Sequence, residues 1–202
     1  MKPEASESET RIRSLVLAGD LKSAADLVVR SLGPEVLGFL RASLGRQEDA
    51  DEVFSATSVR LWKGLASFHW ECSLRTWAYT IARNEAARFL QGARRHKQGR
   101  ASSSALEQIV AVVRTATLSA LRSEKRGKLQ ALREELSVED RMLLILRVDR
   151  GLGWEAVARA FLPESAGGSA EQVKREAARL RKRFQLVRQR LAERARTEGL
   201  LS

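Results

Sequence analysis

The sequence predicts an all-helical protein, and three observations predict it. Ala, Leu, Arg and Glu dominate long stretches, hydrophobic residues make up 44% of the chain, and only three prolines interrupt its 202 residues, a composition that favours helix. Apolar residues recur at three- and four-residue steps, the period of a helix with one face to bury. No run of β-branched residues bounded by turn signals argues for a sheet. The length suits one large or two small domains. Polar breaks after Gln91 and at SEKRG divide the chain into a first domain over residues 1–98, a linker over 99–127 and a second domain over 128–202.

Residues 1–8 are polar and read as frayed. Ile12, Leu15, Val16 and Leu17 give a short helix that stops near Gly19 and Asp20. A second helix, from Leu21 to Ser31, carries Leu21, Ala24, Ala25, Val28 and Val29 on one face. Gly33 and Pro34 are expected to break it, with Pro34 suited to the first turn of a third helix that carries Val36, Leu37, Leu40 and Leu44. An acidic helix follows (DADEVFSATSVRLW), with Ala50, Phe54, Thr57, Leu61 and Leu65 on its apolar face. The loop SFHWECS then leads into LRTWAYTIARNEAARFL. There Leu74, Trp77, Ala78, Ile81 and Phe89 are expected inside, and Arg75, Tyr79, Thr80, Arg83, Asn84 and Arg88 form a donor-rich opposite face suited to phosphates and base edges.

Beyond Gln91 the run GARRHKQGRASSS loses apolar content and reads as linker or fraying helix, while the apolar segment 105–121 reads as a helix within the linker. From Leu129 the pattern gives two helices with Ser137 as the N-cap between them, Glu139 and Asp140 suiting the first turn. Gly151 and Gly153 end that pair. Trp154 to Phe161 is a short helix, and Ser169 with Gln172 signals a capping box before a long basic helix. Short helix, turn and basic helix make a helix-turn-helix candidate. The alternative for the last helix is a coiled-coil arm; its heptad pattern reads as poor after Leu180, which favours a DNA helix.

The formal net charge is +11 and unevenly spread: residues 88–100 contain no acid, and residues 47–59 contain four acids and no base. Clustered base of this kind points to a polyanion partner. No uninterrupted apolar segment approaches ~18 residues, and MKPEASESETR lacks the layout of a signal peptide; no membrane partner and a cytoplasmic location are expected. Cys72 is the single cysteine and forms only an H-x-x-C pair with His69. Zinc would need two further ligands from a chain whose other histidine is His96, so neither metal nor cofactor is expected, and Cys72 reads as a small loop residue. Nucleophile–base, P-loop and metal-ligand spacings are absent, and the acids at 48–52 read as a solvated or protein-docking face; an enzyme is not expected.

The ungapped stretch from Asp49 to Asn84, ending in LRTWAYTIARN, resembles region 2 of the extracytoplasmic-function (ECF) sigma factors, of the sigma-70 type. Ser55, Ala56 and Ser58 stand where that family commonly has Gln, Glu and Phe. LSVEDRMLLILRVDRGLGWEAVARAF and VKREAARLRKRF resemble region 4, with a turn at 163–168 lengthened by about five residues relative to the compact motif and Glu176 standing where the family has Arg. The resemblance implies a region 2-like helical bundle and a region 4-like helix-turn-helix joined by a linker. It implies an alternative sigma factor that brings core RNA polymerase to promoters.

On that resemblance Asp49, Asp51, Glu52, Arg60 and Trp62 would meet the polymerase β′ and β subunits. His69, Trp70, Glu71, Arg83, Asn84 and Arg88 would take the single-stranded −10 element. Gln172, Lys174, Arg175, Arg179 and Lys182 would take the double-stranded −35 element. Two modest DNA contacts on one chain reinforce each other through effective concentration. An anti-sigma factor is a further partner that the resemblance implies. Trp70 either covers the core or stacks on an unpaired base, whereas Trp77 belongs to the core by its spacing. Two other readings stay open: a stand-alone helix-turn-helix regulator reading paired half-sites as a dimer, and a degenerate sigma-like adaptor that binds polymerase without directing initiation.

Overall fold

The computed structural model describes residues 7–98, 131–163 and 168–200, the side chains of 94–98 excepted. The expected linker over 99–127, its helix at 105–121 and most of the basic run 94–100 lie outside the described residues or side chains. All regular structure among the described residues is helical: α1 Glu7–Leu17, α2 Leu21–Leu44, α3 Gln47–Gly64, α4 Leu74–Gln98, α5 Val138–Leu144, α6 Trp154–Phe161 and α7 Ala170–Thr197. A short 3₁₀ turn, Leu65–Ser67, follows α3, and α5 runs on as a π turn over Ile145–Asp149.

Helices α2, α3 and α4 form a bundle with α1 laid against α2. Val28, Val36, Phe39 and Leu40 of α2 meet Ala50, Val53 and Leu61 of α3 and Leu74, Ala78, Tyr79 and Ala82 of α4, all buried. Phe39 and Tyr79 touch edge to face with centroids 5.1 Å apart, the geometry favoured by the ring quadrupoles. The acidic helix is turned slightly from the expected face, so that Val53 is buried and Phe54 only half-buried.

The expected break at Gly33 and Pro34 does not occur: α2 passes through both as one helix. An interior proline forgoes a hydrogen bond and costs ~3 kcal/mol. Here Val28, Val36, Phe39 and Leu40 share one buried face on both sides of Pro34, so a continuous helix buries all of them together. Gly33 is itself buried, and a Cβ there would lie 3.4 Å from the Phe54 ring; its small size lets α3 approach.

The C-terminal group is built from α5, α6 and α7. Ser137 caps α5, accepting from the Asp140 amide, and the Ser169–Gln172 capping box begins α7 with both of its bonds present. The apolar stripe of α7 runs on beyond Leu180, contrary to the expectation from the sequence. Val173, Ala177, Leu180, Phe184 and Val187 are buried and Leu191 packs at the edge of the core. That steady alternation of four and three residues seats α7 on its own chain: Phe184 meets Trp154 of α6 edge to face at 5.4 Å.

The two groups share a face. Helix α6 packs along α4, and α5 packs against α2. This corrects the open donor-rich face expected on α4: Tyr79 and Thr80 are buried. Tyr79 turns inward to donate to Glu35, and Thr80 lies against α6 near the Arg159 carbonyl at 3.5 Å. A period of 3.6 identifies one apolar face, but α4 is covered on two sides, and its small polar residues suit the second contact.

Candidate nucleic-acid and polymerase interface

Helix α3 presents an outer face of mixed chemistry. Glu52 is exposed, and on the same side Val59 and Trp62 remain 48% and 56% exposed. Residues three and four apart are neighbours on a helix, so these form one strip. Asp49 is half-buried, Asp51 pairs with Arg41 of α2 at 3.0 Å, and Arg60 reaches Glu85 of α4 at 3.2 Å. The Arg41–Asp51 pair is exposed on both sides, and such pairs contribute ~0–1 kcal/mol and yield readily to a partner. Ser55 and Ser58 bond back to the carbonyls of Asp51 and Phe54 on their own helix.

The loop between α3 and α4 is held by aromatic stacking. Phe68 lies between Trp77, stacked at 4.6 Å, and Trp70, tilted at 4.9 Å. Trp77 is half-buried rather than a full core residue, and its ring rests on Gly64, where a Cβ would lie 3.0 Å away. Trp70 adopts φ 57, a left-handed conformation that costs a bulky residue of order 1–3 kcal/mol. Arg13 of α1 sits over its outer ring face at 5.4 Å, a cation–π contact. His69 and Glu71 are exposed, and Cys72 is half-buried. Burial raises the thiol pKa, while the Arg159 charge acts in the opposite sense.

Helix α4 begins with Glu9 of α1 accepting from the Leu74 amide at 3.2 Å, a carboxylate satisfying an otherwise orphaned donor. The next residue, Arg75, and Tyr79 one turn beyond it both donate to the Glu35 carboxylate. Burial acts to raise the Glu35 pKa, but these two donors outweigh it and hold it below the ordinary carboxylate value. Burial and the same carboxylate push Tyr79 well above the ordinary phenol value. The Arg75 guanidinium also donates to the Arg150 carbonyl at 3.3 Å.

Arg83 is drawn into the contact with the C-terminal group. It donates to the Phe161 carbonyl at 3.2 Å and to Glu139 at 3.3 Å, and its guanidinium lies over the Phe161 ring at 4.6 Å. Desolvation lowers its pKa, with the Glu139 charge opposing. Asn84 is half-buried beside it, and Arg88 is exposed and paired with Glu85. The six expected −10 residues are therefore not one open surface: His69, Glu71 and Arg88 face solvent, while Trp70, Arg83 and Asn84 are engaged within the chain.

On α7, Lys174, Arg175 and Lys182 are exposed. Arg179 forms a two-point pair with Glu176 at 2.8 and 2.6 Å. The Gln172 side chain is exposed and accepts from the Ser169 amide in the capping box through its Oε1. The turn before α7 falls partly outside the described residues, at 164–167. Sequence reasoning missed Arg183, which reaches Asp140 at 2.6 Å and Glu139 at 2.9 Å. Its partners lie 43 and 44 residues away, and only the first-turn acids of α5 hinted that an anchor was there.

Residues 28–96 match the family model described as sigma-70 region 2, a span running from within α2 to near the end of α4. Among solved structures, the chain is similar to the sigma factor RpoE of Bartonella quintana, determined in complex with the anti-sigma factor NepR. The two are 21% identical with a TM-score of 0.52, over 84% of this chain and 97% of that one. No curated protein matches the sequence. No described helix is long and apolar enough to cross a membrane. Residues 28–96 therefore carry the sequence pattern of sigma-70 region 2, within an all-helical fold similar to that of a solved sigma factor.

Proposed function

We propose that the protein is an alternative sigma factor of the ECF type, which binds core RNA polymerase in the cytoplasm and directs it to chosen promoters. The observation that carries this is the coincidence of region 2 with the strip of α3 on which Glu52, Val59 and Trp62 stay open to a partner. In this reading residues 1–98 dock on the β′ and β subunits and take the −10 element, residues 128–202 take the −35 element, and 99–127 link them. Asp49, Asp51, Glu52, Arg60 and Trp62 meet polymerase. The loop carrying His69, Trp70 and Glu71, with Arg83, Asn84 and Arg88, handles the opened −10 strand. Gln172, Lys174, Arg175, Arg179 and Lys182 meet −35 DNA. An anti-sigma factor is a fitting further partner, since the similar RpoE was solved with one.

Reconstitution with core polymerase, followed by transcript mapping on genomic DNA, tests the reading. Discrete start sites dependent on the protein are expected. Tight operator binding by the protein alone, with no such transcripts, would make it a stand-alone regulator. A sigma-like adaptor is the second reading, favoured by Ser55 and Ser58, whose hydroxyls turn back onto their own helix and leave fewer groups for a partner. It predicts core binding without promoter-specific starts.

A further inference from the structure

Glu139 holds an unusual position. One carboxylate oxygen accepts from Arg83 of α4 and the other from Arg183 of α7, so a single acid joins the two helices expected to handle nucleic acid. A carboxylate taking two guanidinium groups reproduces the chemistry by which arginines hold a phosphate. The two sides of this contact differ in access. The Glu139 side chain is 53% exposed, within reach of competing ions, whereas the Arg83 side chain is 16% exposed beneath α6.

The fold of the C-terminal group does not depend on Glu139. Asp140 anchors α5 to α7 through its own bond to Arg183 and accepts the Ser137 hydroxyl. What Glu139 adds is the bond across to α4. Around it, Arg83 donates to the Phe161 carbonyl, Arg75 to the Arg150 carbonyl and Arg141 to the Ser43 carbonyl. All of these link the N-terminal and C-terminal groups, and of the acceptors only Glu139 is a charged side chain.

We propose that Glu139 is an internal stand-in for a nucleic-acid phosphate, a latch that holds α6 over α4 and keeps Arg83 from nucleic acid until backbone phosphates displace it. The proposal rests on the reading of α4 as a nucleic-acid face. It accounts for a cationic residue buried beneath another helix of the same chain. It also gives opening a direct driver: phosphate and Glu139 compete for the same guanidinium groups, and salt weakens both pairings.

The single cysteine supplies a readout that needs no added label. Cys72 lies in a groove of about 350 Å³ walled by Trp77 and Thr80 on one side and by Arg159 and Leu162 of the C-terminal group on the other. Withdrawal of α6 exposes the thiol, so its rate of modification by a thiol reagent reports closure of the full chain. Glu139→Gln should speed labelling about two- to fivefold, the range for a partly exposed ion pair, and Glu139→Lys should speed it further. Glu193→Gln, at an exposed acid of α7, should leave the rate unchanged. Glu139→Gln should also bind a mixed-sequence single-stranded oligonucleotide about two- to fivefold more tightly than the unaltered chain.

Labelling rates unchanged in both Glu139 variants, with helical circular dichroism intact, overturn the latch whatever the DNA result. Should either variant lose helicity, the unaltered chain decides: added salt must accelerate labelling, and a flat rate overturns the latch. Faster labelling without any gain in oligonucleotide affinity keeps the closure and overturns instead the nucleic-acid role proposed for α4.

Discussion

Replacing Arg141 by methionine should remove one of the main supports of the contact between the two helical groups. Arg141 is 8% exposed and donates to four main-chain carbonyls, those of Ser43 at 2.8 Å, Arg133 at 3.1 Å, Glu134 at 2.8 Å and Leu136 at 3.2 Å. Burial lowers its pKa, with the Glu134 charge acting the other way. The guanidinium is stabilised by carbonyls at helix ends, including the last turn of α2, where the helix dipole favours a cation. Methionine keeps the apolar stem and loses every donor. The Ser43 and Leu136 bonds are buried, and a buried acceptor left unpaired costs ~1–3 kcal/mol.

Two such acceptors set a loss of roughly 2–6 kcal/mol, which release of a desolvated charge offsets in part, leaving about 3 kcal/mol. That is a large share of the ~5–15 kcal/mol that holds a typical domain folded. Urea unfolding followed by far-ultraviolet circular dichroism measures it, and in a chain of this size the same loss lowers Tm by roughly 10 °C. Arg141→Lys should recover little, because an ammonium cannot span acceptors on separate segments. A loss below about 1 kcal/mol, the level of an ordinary surface change, would refute the reasoning and mean that water meets these carbonyls.

Glu35→Gln should flatten the acid limb of stability: Glu35 is held below the ordinary value of 4.5, so its contribution is present above that pH and fades as pH falls through its folded-state pKa. The gap between the two proteins in urea titrations should therefore close on acidification, and a gap independent of pH would remove the ion-pair account. Reversing Asp51 and Glu52 to Lys should weaken association with core polymerase while the helical signal holds; unchanged affinity in a pull-down titration would remove α3 as the docking face. Replacing Lys174, Arg175, Arg179 and Lys182 together by Ala should reduce the salt slope of promoter binding by about one for each phosphate that is no longer neutralised. Arg179 should contribute least, since Glu176 already holds it. Trp70→Ala should impair initiation on duplex promoters more than on a template already mismatched across the −10 region, because stacking helps offset the cost of extracting a base; an equal defect on both templates, or a large fall in Tm, would assign Trp70 to packing against Phe68 and Arg13.

What the sequence by itself determined is local. Ser137 and the Ser169–Gln172 pair announce helix starts because a cap joins residues three apart, and that distance is visible in a string of letters. The run from Asp49 to Asn84 was legible for the same reason: its helical period and its likeness to region 2 are contained in one ungapped stretch. The fold class followed, and so did part of the core of α3 and α4, with Ala50, Thr57, Leu61, Leu74, Ala78 and Ile81 buried as expected. Even there local rules misjudged Pro34, because the gain from burying Val28, Val36 and Phe39 on one continuous helix is collected from α3 and α4.

Tertiary structure alone decided which polar groups face each other. Arg83 and Glu139 are 56 residues apart, and Arg141 and the Ser43 carbonyl 98; no period or cap links such positions. Tyr79 and Thr80 read as an outer polar face because one helix of period 3.6 has one apolar stripe, yet α4 is covered on two sides. A hydroxyl can enter such a contact once a partner accepts its proton, as Glu35 does for Tyr79, and a guanidinium can do so once carbonyls or a carboxylate surround it. That satisfaction of buried polar groups exists only when distant segments meet, so the sequence named the donors, and the packing of α6 on α4 decided where they point.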